Sequence, residues 1–237
     1  MKVLIIIPAY NEEKNLARLL DKLKQVCPEN DVVVVNDCSK DGTLELCRAY
    51  GIRTIDLPVN LGIGGTVQAG YKYAFYKGYD AAIQVDGDGQ HDPQFIGLLV
   101  DGINKGSNIC IGSRFINREG FQSSTARRIG IRYFSSLIHL FTGIRVTDPT
   151  SGFRACDRKA ISLFSREYPR DYPEPETIVN ATRYGLSITE VPVVMSDRVE
   201  GKSSITALKS FYYMVKVSLA IIIVSFYKHE NREVHGE

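Results

Sequence analysis

Three polar side chains with alternate spacing bound the chemistry available to this chain. The stretch VDGDGQHD sets Asp86, Asp88 and Gln90 at every second position, with Gly87 and Gly89 between them. Carboxylates spaced this way on a glycine-loosened backbone suit a hard, oxygen-preferring cation such as Mg²⁺ or Mn²⁺, which can also bridge a diphosphate. A plain solvated turn shares this composition, so the rest of the chain has to decide.

Further polar positions follow other apolar runs. PAYNE, residues 8–12, breaks a run at Pro8 and presents Tyr10 and Glu12; a strand end and helix cap would read the same way. In VVVNDCSKDGT, Asp37 follows a wholly apolar run and can accept hydrogen bonds from a nucleobase edge, whereas helix capping explains Asp41. NLGIGGTVQAG places Asn60, Gly62, Gly64 and Gly65 before a helix, where the backbone can approach closely and N-terminal amides attract phosphate. Its spacing is not GxGxxG and it follows the third strand, which disfavours a dinucleotide cofactor. Arg127, Arg128 and Arg132 share a helical stretch with Ile129, Tyr133, Phe134, Leu137 and Leu140, suited to anionic lipid or to the charged face of a core helix. Turn chemistry explains TDPTSGFR, and neither His91 nor His139 receives a role.

Positioning these residues takes a sheet. Short β-branched runs at 3–7, 31–35, 52–57, 81–85 and 109–112 alternate with helical periods, which predicts an α/β fold with a mostly parallel sheet flanked by helices. Leu16, Leu19, Leu20, Leu23 and Val26 mark an amphipathic helix, with Glu12 and Glu13 at its positive end. Asp92 before Pro93 marks another helix start. In open α/β sheets ligands bind outside the carboxyl ends of the strands, so the polar loops converge on one crevice.

The chain has 237 residues, 44% hydrophobic and 24% charged, which fits one large folded α/β domain, or one domain with a C-terminal appendage. A net charge of +2 argues against a nucleic-acid partner. Five scattered cysteines without a CxxC pair support neither a disulfide framework nor a zinc site, and fit a reducing, cytoplasmic setting. The apolar start meets Pro8 at once and reads as a buried strand rather than a signal peptide. Residues 205–227 read as a helix with interleaved lysines and aromatics, placed on a membrane surface, a small membrane protein, or a second copy of the chain.

PAYNE, NDCSKDGT, NLGIGG, VDGDGQHDP and IGSRF together resemble the family 2 glycosyltransferases of GT-A fold, closest to the dolichol- and polyprenyl-phosphate sugar synthases. The resemblance spans roughly residues 2–205. It implies a GT-A domain over 1–204 and an amphipathic helix and tail over 205–237. It also implies a nucleotide-sugar pocket at Pro8, Ala9, Tyr10, Glu12, Asp37, Gly62, Gly64, Asp86 and Arg114. Asp86 and Asp88 stand as a DxD pair, with Gln90 as a third metal-side ligand. Arg114, Arg198 and Lys202 stand where basic groups grip the donor diphosphate or an acceptor phosphate, and TDPTSGFR, with Asp148, Gly152, Phe153 and Arg154, resembles a family loop near the acceptor.

Glu174 and Glu176 of DYPEPE fall where many family 2 enzymes carry a catalytic acid residue, unless they are two solvated glutamates on a proline-stiffened loop. The implied reaction is inverting, metal-dependent transfer from a nucleotide-diphosphate sugar, by family preference a UDP-sugar, to a polyprenyl phosphate or a cell-surface glycan. A non-catalytic nucleotide-sugar-binding protein of a membrane glycan complex is the competing expectation. Either fits a cytoplasmic chain peripheral to the inner face of the cell membrane.

Overall fold

The structure, a computed structural model, describes residues 1–120, 124–196 and 207–226, without the side chains of 126 and 207–211. The five expected strands form within two residues of their expected ends: β1 (Val3–Ala9), β2 (Asp31–Asn36), β3 (Arg53–Asp56), β4 (Ala81–Gln84) and β5 (Ile109–Ser113). β1 runs on through Pro8, a residue that cannot donate to a ladder. It is tolerated because Ile6 and Pro8 face β4, whose ladder ends opposite Ile6 at Gln84.

Two short strands were not expected, β6 (Arg154–Asp157) and β7 (Ile188–Pro192). The seven-stranded sheet has the order β3-β2-β1-β4-β6-β5-β7. Only β6 runs antiparallel to its neighbours, so its first residue, Arg154, pairs with the last residue of β4, Gln84.

Eight α-helices flank the sheet among the described residues: α1 (Glu13–Val26), α2 (Thr43–Ala49), α3 (Gly62–Tyr76), α4 (Ile96–Asn104), α5 (Thr125–Thr142), α6 (Arg158–Arg166), α7 (Pro173–Arg183) and α8 (Ala207–Phe226). Alternation along β1 divides the core into two layers. Val3, Ile5 and Ile7 pack with Leu16, Leu20 and Leu23 of α1 and Leu99 of α4. Leu4 and Ile6 pack with Val67 and Tyr71 of α3 and Leu163 and Phe164 of α6. At Gly70 a methyl group would sit 2.3 Å from Ile6 Cγ2, so only glycine allows α3 this close to β1.

Asp92 caps the Pro93–Phe95 turn as expected, accepting from the Gln94 amide at 2.9 Å. Asp41 also accepts from the amide of Thr43, the first residue of α2, at 3.1 Å. DYPEPE is not a loop: after Tyr172 in the left-handed region, Pro173 opens α7 and puts both glutamates in its first turn. Proline at a first helical position costs no hydrogen bond, which is the physical reason. α8 lies on α5 and α7 through Tyr213 against Phe134 and Tyr172, with Val217 and Ile221 buried. Among the described residues no helix is long and apolar enough to cross a membrane.

Candidate functional site

Strand order reverses direction at β1, from which the chain winds first through β2 and β3 and then crosses to β4. That switch point opens a crevice at the carboxyl ends of β1 and β4. The turn carrying Asp86 and Asp88 leaves β4 there, and Gly87 rests against the end of β1. A methyl group on Gly87 would lie 3.1 Å from Pro8 O and 3.3 Å from Glu12 Cγ. The sheet therefore brings PAYNE and the Asp-rich turn together.

Within the turn, Asp86 is partly exposed and accepts from Gln84 Nε2 at 2.9 Å. Asp88 is buried and accepts from the Gln90 amide at 3.0 Å, while Gly89 takes the left-handed backbone that closes the turn. Gln90 pairs with Ser196: the Ser196 amide donates to Gln90 O at 3.1 Å and Gln90 Nε2 to Ser196 O at 3.4 Å. Arg198 and Lys202 lie outside the described residues.

His91 is a site residue that sequence reading left without a role. It is buried, its Nδ1 accepts the Asp86 amide at 3.0 Å, and its ring stacks on Phe153 at 4.8 Å between centroids. Phe153 and Gly152 belong to TDPTSGF, which the reversed β6 draws to this edge. A methyl group on Gly152 would lie 2.8 Å from Gln84 Nε2 and 3.2 Å from Asp86 Oδ2. The spacing QxDxxxxH offered a signal, but an isolated histidine is usually structural.

Arg114 departs from its expected place at the phosphates. Its guanidinium is buried in a two-point pair with Asp148, Nε to Oδ2 at 2.6 Å and Nη2 to Oδ1 at 2.7 Å, and Nη2 also reaches Thr150. The planar fork matches a carboxylate, and here the carboxylate comes from the chain itself. Arg114 thus ties the end of β5 to the TDPTSGF loop. Arg154, also buried, donates to Ser151 O at 2.6 Å, Thr177 Oγ1 at 2.7 Å and Pro149 O at 3.0 Å, so its charge is held by dipoles beneath the crevice.

The glycines before α3 also turn out to serve the chain itself. Asp37, buried, accepts from the amides of Leu61 at 2.7 Å and Gly62 at 3.0 Å, which gives this carboxylate a helix-capping role sequence reading did not supply. The Gly64 amide donates to Arg170 O at 3.1 Å, and a methyl group there would meet Pro169 O at 2.0 Å. The attraction for phosphate read into the Gly62 and Gly64 amides is therefore spent on internal acceptors. Ala9 is buried and accepts the Asp37 amide at 2.9 Å; Glu12 accepts from Asn15 at 2.8 Å; Tyr10 is exposed at the rim.

α7 separates the two glutamates. Glu174 is half-buried, and burial pushes its carboxyl above the ordinary range, opposed by Arg154 and Arg127 and reinforced by Asp86. The phenols of Tyr168 and Tyr213 are raised by burial and then by Glu174. Glu176 is raised by burial too, but its charged neighbour is Lys216 of α8. Glu174 thus belongs to the electrostatic neighbourhood of Asp86, and Glu176 to the α8 interface.

Among the described residues no group of three His, Cys, Asp or Glu side chains stands at metal-binding geometry. Two carboxylates and an amide, all hard oxygen donors on one turn, fit instead the mode in which Mg²⁺ or Mn²⁺ takes few protein ligands and completes its shell with water and substrate phosphates. A cation held here would neutralise charge on a departing diphosphate.

This doubly wound sheet, with its reversed strand and the Asp-rich turn at the switch point, is the GT-A glycosyltransferase fold. Glucosyl-3-phosphoglycerate synthase of Mycobacterium tuberculosis, solved with Mn²⁺ and UDP-glucose, superposes with a TM-score of 0.73 over 97% of this chain and 80% of that one, at 18% identity. The family model for glycosyl transferase family 2 matches residues 4–164, and the chain belongs to that family. Undecaprenyl-phosphate mannosyltransferase of Micrococcus luteus is 30% identical over 215 residues, 87% of this chain and 88% of the relative. Polyprenol monophosphomannose synthase of Mycolicibacterium smegmatis is 27% identical over 227 residues, 92% and 86% of the two chains.

Proposed function

We propose that this glycosyltransferase moves a sugar from a nucleotide diphosphate, by preference a UDP-sugar, to a polyprenyl phosphate at a membrane surface, with inversion and with a divalent cation at Asp86 and Asp88. The supporting observation is the convergence of Asp86, Asp88 and the β6-borne Gly152–Phe153 loop at the β1/β4 switch point. Relatives named for transfer to undecaprenyl and polyprenol phosphates match nearly the whole chain.

In this reading Pro8, Ala9, Tyr10, Glu12 and Asp37 line the nucleoside side of the crevice. Asp86, Asp88 and Gln90 face the diphosphate, with Arg198 and Lys202 supplied from beyond Ser196. An acceptor phosphate is already ionised and attacks without a base. Arg127, a charge neighbour of Glu174, stands ready to hold it.

A hydroxyl acceptor on a cell-surface glycan is the second reading, favoured by one observation: Glu174, half-buried and with its carboxyl raised by burial, sits in the same charge cluster as Asp86. The test is transfer of labelled sugar from UDP- and GDP-sugars to polyprenyl phosphate, with Mn²⁺, with EDTA, and in Asp88→Ala. Product that forms only with the metal and the intact aspartate supports the proposal. Tight donor binding without turnover on any acceptor sinks it in favour of a non-catalytic binding protein.

A further inference from the structure

An open cavity of about 320 Å³ lies at the end of the sheet opposite the crevice. Lys2 stands directly before β1, Asp31 opens β2 and Arg53 opens β3, while Lys77 and Tyr79 lie between α3 and β4; with Tyr73 of α3 they form the lining. β1, β2 and β3 run parallel in neighbouring register, so their first residues converge on this edge from distant parts of the chain.

The cations of this lining are held in place by rings rather than by carboxylates. Lys2 Nζ lies 4.2 Å from the centre of the buried Tyr79 ring, and the Arg53 guanidinium lies 5.9 Å from that of Tyr73, which in turn contacts Tyr79. Lys2 Nζ also donates to Lys77 O at 3.4 Å, where it meets the negative end of α3. That role accounts for Lys2, but not for Arg53, which comes from an edge strand. Asp31, the one carboxylate in the lining, accepts the Tyr79 hydroxyl at 2.8 Å, and Asp80 nearby accepts the Lys2 amide at 2.7 Å. None of the three cations has an ion pair among the described residues. Three cations against one carboxylate leave two positive charges of the lining unbalanced. An arginine fork between two ammonium groups calls for a compact anion with several acceptor oxygens.

We propose that the Lys2–Arg53–Lys77 cavity binds a phosphate-type anion, either free phosphate or diphosphate or the phosphoryl end of a nucleotide. The bound anion ties the starts of β1 and β3 to the end of α3. The site is separate from the donor crevice and does not rest on the proposed function, since none of its residues takes part in the chemistry assigned there.

The experiment is lysine footprinting of the full chain with an amine-acetylating reagent, read by mass spectrometry. Inorganic phosphate, pyrophosphate and UDP are each titrated at constant ionic strength in EDTA. Lys2 and Lys77 should lose labelling in a saturable way, while Lys72, exposed on the same helix and outside the cavity, keeps it. In Arg53→Gln the concentration giving half protection should rise about fivefold, the upper end for one exposed ion contact, and Arg53→Lys should recover part of it. Parent-like melting of both variants shows that neither change acts through the fold. Half protection at a lower concentration of UDP than of pyrophosphate supports the site with a nucleotide as its ligand; the reverse order supports it with the free anion. Protection of Lys72 equal to that of Lys77 means ionic screening and overturns the proposal. So does protection unchanged in Arg53→Gln, or no protection by any of the three anions.

Discussion

The imidazole of His91 holds the backbone of Asp86: Nδ1 accepts the Asp86 amide at 3.0 Å, and Nε2 lies 3.6 Å from Oδ2 of the same residue. An accepting Nδ1 assigns the ring proton to Nε2, on the side of the carboxylate. Stacking on Phe153 at 10° between planes keeps the ring from turning. The peptide that leaves β4 is therefore fixed at the residue expected to meet the cation.

His91→Phe should keep the ring stacking and lose the acceptor. A buried amide without a partner costs about 1–3 kcal/mol, at roughly 2–4 °C of Tm per kcal/mol for a domain of this size. The Mn²⁺ concentration needed for the donor-induced thermal shift should rise in parallel, and His91→Gln should restore part of it. Parent-like melting and Mn²⁺ response in His91→Phe would remove the positioning role.

Glu174→Gln separates two acceptor chemistries. If the acceptor is a phosphate, kcat should change little; if a hydroxyl, loss of a general base should cost roughly 10²–10⁴-fold. Its pH dependence carries a sign. Because burial raises the folded-state carboxyl above its ordinary 4.5, the stability of the folded chain falls as pH rises through the raised value. Glutamine has no such loss, so the Tm difference, variant minus parent, should grow from acid to neutral pH. A difference that stays flat with pH would contradict the burial of this group.

Gly152→Ala and Gly64→Ala should fail in different ways. At Gly152 the new methyl presses on the Gln84–Asp86 pair, at 2.8 Å from Gln84 Nε2, so the response to Mn²⁺ and donor should suffer most. At Gly64 it meets backbone oxygens of Pro169 and Arg170 at 2.0 and 2.3 Å, which cannot yield cheaply, so melting temperature should suffer most. Equal losses of both properties in both variants would refute this division.

Thiol labelling of the native chain with iodoacetamide should modify Cys38 alone, the one cysteine that is not buried. Burial raises the thiols of Cys27, Cys47 and Cys110, and that of Cys156 to about 12, which removes the reactive thiolate at neutral pH. Mass spectrometry locates the adduct. Native labelling at Cys110 or Cys156 would contradict the packing of β5 and β6.

Much of this architecture was legible in the residues. Runs such as LIII and VVVV can only be strands buried on both faces, and the polar loops after them had to share an edge. The Asp-rich turn and PAYNE met as expected because parallel strands put all their carboxyl ends together. β6 escaped notice because RACD is four residues long and carries an inward arginine, whose partners Ser151, Thr177 and Pro149 are set by tertiary structure. The partners that Arg114 and Asp37 find within the chain, Asp148 and the amides of Leu61 and Gly62, were hidden for a related reason. A charged side chain after a strand looks the same whether it meets a ligand or a partner contributed by a distant stretch of its own chain. Glu174 and Glu176 could be told apart only once α7 gave them different faces.

The reversal of β6 has one more outcome. The chain departs the crevice mouth after Ser113 and comes back to the same mouth at Arg154, and the Gly112 amide clasps Phe153 O at 2.8 Å. The stretch between them, which carries α5, therefore starts and ends at two neighbouring points of the sheet. Because loop-closure entropy grows slowly with length, the joined ends set little limit on how long that stretch is, and what holds it in place is the packing of Phe134 and Ile138 in the core.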